Sequence, residues 1–124
     1  VIPPGAEDAC RRLGLSPAVA SGGHLFLTGL TASAADGSMP ASPEAQFEAV
    51  FDKLAAVLGA GGCSLADLVE TTSYHVRMEE HFDAFLAVRL RRLRDPYPAW
   101  TAVEVAGLRR PGALVEVRAV AALP

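Results

Sequence analysis

Apolar residues return every three or four positions in two stretches of the chain, and each stretch predicts an amphipathic helix. In the first, Phe47, Val50, Phe51, Leu54, Val57 and Leu58 share a face. Ser42-Pro43-Glu44 starts it with a capping hydroxyl, a proline where no N–H is needed, and an acid at the positive end of the dipole. Gly59, Gly61 and Gly62 end it. The second helix runs from Met78 to Arg94, with Phe82, Phe85, Leu86, Leu90 and Leu93 as its stripe. Glu79, Glu80 and Asp83 come early and Arg89, Arg91, Arg92 and Arg94 late, the order that the macrodipole favours, and the arginines read as a solvated helix end.

The remaining apolar segments have strand length. Pro17 to Ala20 and His24 to Thr28 flank the turn Ser21-Gly22-Gly23 and predict a hairpin. Gly29 follows at once, where glycine permits either a bulge or the close approach of a ligand to backbone. Asp67 to Arg77, rich in valine and threonine and holding Tyr74, predicts another strand with mixed faces. Pro96 and Pro98 stop the second helix and push the chain toward extended backbone, so a strand begins near Ala99. There Trp100, Ala102 and Glu104 point one way, and Thr101, Val103 and Val105 the other. After the turn Arg109-Arg110-Pro111-Gly112, the segment Ala113 to Ala121 alternates strongly, with Val115, Val117, Ala119 and Ala121 on one face and Leu114, Glu116, Arg118 and Val120 on the other. Val1 to Gly14 has no firm periodicity and reads as a loop or a short edge strand, and Thr31 to Ala41 reads as a loop.

This order of elements predicts an α+β sandwich with two helices on one face of the sheet. Two helices leave the second face bare, and the alternation assigns Trp100, Ala102, Leu114 and Val120 to it. Removing a few hundred Å² of apolar surface from water, at ~25 cal/mol per Å², is worth several kcal/mol, comparable to the net stability of a small domain. A homo-oligomer is therefore expected, with Glu116 and Arg118 at or beside the interface.

Composition narrows the partners. A chain of 124 residues that is 51% hydrophobic can bury a real core within a single domain, residues 1–124. A net charge of -3 removes the electrostatic reason to expect nucleic acid or a membrane surface, so the ligand is a small molecule. No charged start followed by an apolar run is present and no segment reaches membrane-span length, so neither a leader nor an anchor is expected. Cys10 and Cys63 fit neither a disulfide framework nor a metal pattern, which points to a reducing cytoplasm, and Cys63, in an apolar link, reads as a buried inert thiol. None of His24, His75 and His81 has a spaced acid or a second histidine beside it, so no metal or other cofactor is expected.

Four segments together resemble the RidA family, also called the YjgF or endoribonuclease L-PSP family. They are Val19 to Gly29, the link Gly61-Gly62-Cys63-Ser64-Leu65-Ala66-Asp67-Leu68, the run Tyr97-Pro98-Ala99-Trp100-Thr101-Ala102-Val103-Glu104-Val105, and Gly112-Ala113-Leu114-Val115-Glu116-Val117. The similarity extends from about Leu13 to Ala122, and the Pro-Tyr-Pro-Ala-Trp-Thr-Ala-Val run with Thr72-Ser73-Tyr74-His75 looks like the YjgH-type branch. The resemblance implies a chorismate-mutase-like mixed sheet, a homotrimer, and small-molecule clefts between subunits. It implies hydrolysis of enamines and imines such as 2-aminoacrylate to keto acids and ammonia. In the archetypes an arginine after the Tyr-Pro segment pairs with the substrate carboxylate, a glutamate on the last strand helps position water, and glycine backbone after the second strand lines the cleft. This chain keeps Gly29 and Glu116 at the matching positions, but carries Trp100 in place of the arginine, Leu15 in place of a cleft tyrosine and Ala102 in place of a cysteine.

Losing one partner of a buried charge pair costs ~2–5 kcal/mol, so the arginine replacement argues against 2-aminoacrylate as the substrate. An indole offers stacking area and one N–H instead. Glu116 is the catalytic candidate under this resemblance, and Gly29, Trp100, Thr101, Leu15 and His75 are the candidate substrate contacts. Each has a structural alternative: Trp100 as interface packing, Glu116 as a member of an interfacial ion pair, His75 as a satisfied strand histidine. The competing function is a non-catalytic ligand-binding or interaction trimer. Ribonuclease action is the weakest reading, because the chain is acidic and lacks an acid–base histidine pair.

Overall fold

The computed structural model describes residues 1–124. A short helix α1 (Glu7–Leu13) leads into the hairpin β1 (Ala18–Ser21) and β2 (His24–Leu30), followed by α2 (Pro43–Ala60), a 3₁₀ turn (Leu65–Asp67) and β3 (Leu68–His75). Then come α3 (Met78–Arg92), β4 (Ala99–Glu104) and β5 (Val115–Ala122). The five strands lie in the order β1-β2-β5-β3-β4. Only β3 and β4 are parallel, as a crossover through α3 requires; the other pairs are antiparallel.

Local chemistry accounts for the helix ends. Ser42 Oγ accepts from the Ala45 N–H at 3.1 Å while Pro43 occupies the first turn. The Glu104 carboxylate, reaching over from β4, accepts from the Met78 N–H at 3.0 Å and holds the positive end of α3. The α2 stripe meets the helix-facing side of the sheet, and Phe47, Val50, Phe51, Leu54 and Leu58 are buried with Leu25, Leu27, Val115, Val117, Ala119 and Ala121. Phe85 of α3 joins them, edge-on to Phe47 with centroids 5.4 Å apart.

Three expectations change. The first thirteen residues contain α1 rather than a loop or edge strand, so the fold has three helices, and Gly14 ends α1 in the left-handed region at φ 65°. The late arginines of α3 are not simply solvated: Arg91 and Arg92 pair with Glu44, Glu48 and Asp52 of α2, and Arg89 is buried. Finally, Trp100 and Ala102 lie on the helix-covered face. Trp100 stands opposite Thr71 and Ala102 opposite Ser73, and both of those β3 residues point into the core. Leu114 is likewise buried beneath α2, its N–H held by Gln46 Oε1 at 3.0 Å. The uncovered face instead presents Val19, Phe26 and Val103, which are 51%, 39% and 36% exposed, with Tyr74, Glu116 and Arg118 between them.

Candidate functional site

The chemistry-bearing residues fall into two groups separated by the sheet. The first forms where β2 loses register with β5, between Leu27 and Leu30. The irregularity brings Gly29 against Glu116. A Cβ built on Gly29 would lie 2.6 Å from Glu116 Oε2 and 3.0 Å from its Cδ, so a side chain there would displace the carboxylate.

Glu116 and Gly29 line a cavity of about 190 Å³ together with Leu15, Thr31, Ser33, Lys53, Arg109 and Arg110. That volume suits a molecule of a few heavy atoms. Glu116 takes part in none of the chain's salt bridges, which involve Arg11, Arg77, His81, Arg91 and Arg92. Lys53 is anchored from α2 by donating to the Ser33 carbonyl at 2.8 Å. Burial, with the Arg110 charge beside it, pushes the Lys53 pKa below the ordinary lysine value. Three cations and one carboxylate thus share a cavity wall without any of the cations closing to within 4.0 Å of the carboxylate, which is left free to hold water or a ligand.

The second group is closed. Trp100 Nε1 donates to Ser73 Oγ at 2.8 Å, and the same hydroxyl meets His75 Nε2 at 2.7 Å. The indole stacks on Phe82 at a centroid distance of 5.6 Å and an interplanar angle of 4°, and the Arg89 guanidinium lies 4.0 Å above its centroid. Burial lowers the His75 pKa, so the ring is neutral at pH 7, and burial also lowers that of Arg89. Thr71 Oγ1, His75 Nδ1 and one Arg89 amino nitrogen are buried without a partner.

Of the residues singled out from sequence, Leu15, Gly29 and Glu116 meet at the cavity. Trp100 and His75 meet under α3 instead, and within one chain they do not reach it. Thr101 is exposed on β4, opposite Thr72 on the uncovered face. Sequence reasoning missed Lys53, Arg109 and Arg110. Lys53 lies off the apolar stripe of α2, and the two arginines read only as a turn, so no periodic signal marked any of them. Cys63 is buried, donates toward the Ala122 carbonyl at 3.6 Å, and has its pKa raised by burial and by Asp67. Nowhere do three metal-ligating side chains converge, and no helix is long and apolar enough to cross a membrane.

The family model described as endoribonuclease L-PSP matches residues 9–123. The chain is 34% identical to the RutC family protein YjgH of Escherichia coli K12, an alignment that covers 100% of this chain and 94% of that protein. A solved structure of protein YJGH superposes with a TM-score of 0.90 at 34% identity, covering 100% of this chain and 95% of the other. The crystal structure of RidA from a Psychrobacter bacterium gives a TM-score of 0.80 at 29% identity, with 87% of each chain covered.

Proposed function

Because this chain belongs to the RidA, or endoribonuclease L-PSP, family and to its YjgH-type branch, we propose that it hydrolyses the carbon–nitrogen bond of a small imine or enamine in the cavity beside Glu116. The observation that carries the reading is the free Glu116 carboxylate held against Gly29 at the mouth of a metabolite-sized cavity. An enamine first takes a proton at carbon and becomes an iminium ion, as an imine does on protonation at nitrogen. Glu116 then accepts a proton from water as the water oxygen bonds to the iminium carbon, giving a neutral carbinolamine. That proton passes to the nitrogen, the carbon–nitrogen bond breaks with its electron pair leaving on ammonia, and the carbinolamine hydroxyl gives up its proton to solvent as the carbonyl forms. Gly29 serves by having no Cβ, which lets substrate and carboxylate share the space. The chain is proposed to work in the cytoplasm without a cofactor.

2-Aminoacrylate is a poor substrate in this reading. Trp100 occupies the position of the carboxylate-binding arginine, and the cation nearest to it, Arg89, is only 6% exposed and stacked on the indole. Ammonia release from a panel of oxidase-generated imines should exceed the uncatalysed rate for some member other than 2-aminoacrylate. A rate on 2-aminoacrylate exceeding that on every other member would overturn the substrate assignment.

We also infer a homotrimer, supported by the exposed Val19, Phe26 and Val103 on the uncovered sheet face. Sedimentation equilibrium at micromolar concentration is expected to give three times the chain mass, and a stable monomer would refute it. The second reading is a ligand-binding trimer without catalysis. It draws on the fact that no side-chain hydrogen bond orients the Glu116 carboxylate, and it predicts saturable binding with no ammonia release from any member of the panel.

A further inference from the structure

The positive charge in the Glu116 cavity is placed where the family resemblance assigns none. Lys53 projects from α2, and Arg110 from the loop joining β4 to β5, so two separate elements converge on one cavity. Both are half-buried, and neither is neutralised: Lys53 donates only to the Ser33 carbonyl, and Arg110 belongs to no salt bridge. Like charges held this close raise each other's energy unless an anion lies between them. Glu116 is the only carboxylate on the cavity wall, and it stays more than 4.0 Å from both cations. The cavity wall can therefore offer one part of a ligand the cations and another part the unpaired Glu116 carboxylate.

We propose that Lys53 and Arg110 form an anion subsite within the Glu116 cavity, so that the molecule bound carries a carboxylate remote from the carbon–nitrogen or carbonyl carbon presented to Glu116. This rests on the reading of Glu116 given above and deepens it. The charge lost at position 100 is replaced at a different place, and the new place selects a different molecule. In 2-aminoacrylate the carboxylate is bonded directly to the reacting carbon, whereas the ligand proposed here separates the two.

The full chain can be titrated with levulinate, whose carboxylate is two methylenes from its carbonyl, with its neutral methyl ester, and with pyruvate, binding being followed by calorimetry or amide chemical shifts. Wild type is expected to bind levulinate at least about tenfold more tightly than the ester, and more tightly than pyruvate. Lys53→Met and Arg110→Met should each remove most of the levulinate preference and leave ester binding unchanged. Raising salt should weaken levulinate alone. Equal binding of acid and ester by the wild type, a preference untouched in both variants, or tighter binding of pyruvate would overturn the proposal. None of these readouts needs turnover. If the preference holds while Glu116→Gln leaves imine hydrolysis intact, the subsite stands and the catalytic role of Glu116 falls.

Discussion

The Glu116 cavity and the Trp100 cluster are built from similar kinds of residue and behave in opposite ways. At the cavity, charged groups line open space and leave one another unpaired. Under α3, an arginine, a histidine, a serine and a tryptophan are packed into a stack in which the indole N–H, the hydroxyl and the imidazole are linked at 2.8 and 2.7 Å. The difference teaches that polarity alone does not mark a reactive site. In the Trp100 cluster the hydrogen bonds tie the indole of β4 to Ser73 and His75 of β3, and Arg89, Phe82 and Phe85 of α3 pack on the rings, while the cavity keeps its polar atoms available.

If the cluster is structural, emptying it should cost stability more than anything done at the cavity. Phe85, 1% exposed, contacts Phe47, Phe51, His75 and Trp100, so Phe85→Ala should destabilise by about 3–5 kcal/mol. Glu116→Gln, which removes a charge with no ion-pair partner, should stay within about 0.5 kcal/mol. Urea unfolding of both variants checks this, and similar losses in the two would erase the distinction.

A smaller effect follows from His75. Its pKa in the folded protein is depressed below the ordinary value of 6.5 because burial disfavours the charged ring. Below pH 6.5 the unfolded chain takes up a proton that the folded chain refuses, so stability is fully present above that pH and falls as the pH drops toward the folded pKa. Unfolding curves between pH 7.5 and pH 5 should show this loss, and His75→Gln should flatten it. The Ser73 hydroxyl and the rings of Phe82, Phe85 and Trp100, which surround His75, contribute no titration in that range.

Much of this division was legible in the sequence, though not the part that locates Trp100. The stripe of α2 was strong because six apolar residues fixed its face, whereas the five of α3 marked a helix but misplaced part of its face: Leu90 is 53% exposed, and Val88 and Arg89 are buried instead. Alternation showed that Trp100 and Ala102 share a side of β4, but not which side the helices cover. That is decided by pairing with β3, whose buried side is Thr71, Ser73 and His75 and whose pattern therefore looks mixed. Helix α1 has acids first, arginines last and a closing glycine, yet only Cys10 is buried, so no stripe announced it. Gly29 and Glu116 could be marked as candidates from their strand positions and from the family resemblance. Lys53 and Arg110 could not, since 57 positions separate them and only the folded chain brings them together.

The central claim is that chemistry belongs to the Glu116 cavity and not to the Trp100 cluster. It is tested most directly by ammonia release from the best imine substrate, measured for wild type, Glu116→Gln and Trp100→Phe with folding of each checked by circular dichroism. Glu116→Gln should lose about 10²-fold or more in kcat, because an amide cannot take a proton from water near neutral pH, while Trp100→Phe should stay within about threefold. Activity retained in Glu116→Gln but lost in folded Trp100→Phe would contradict the account.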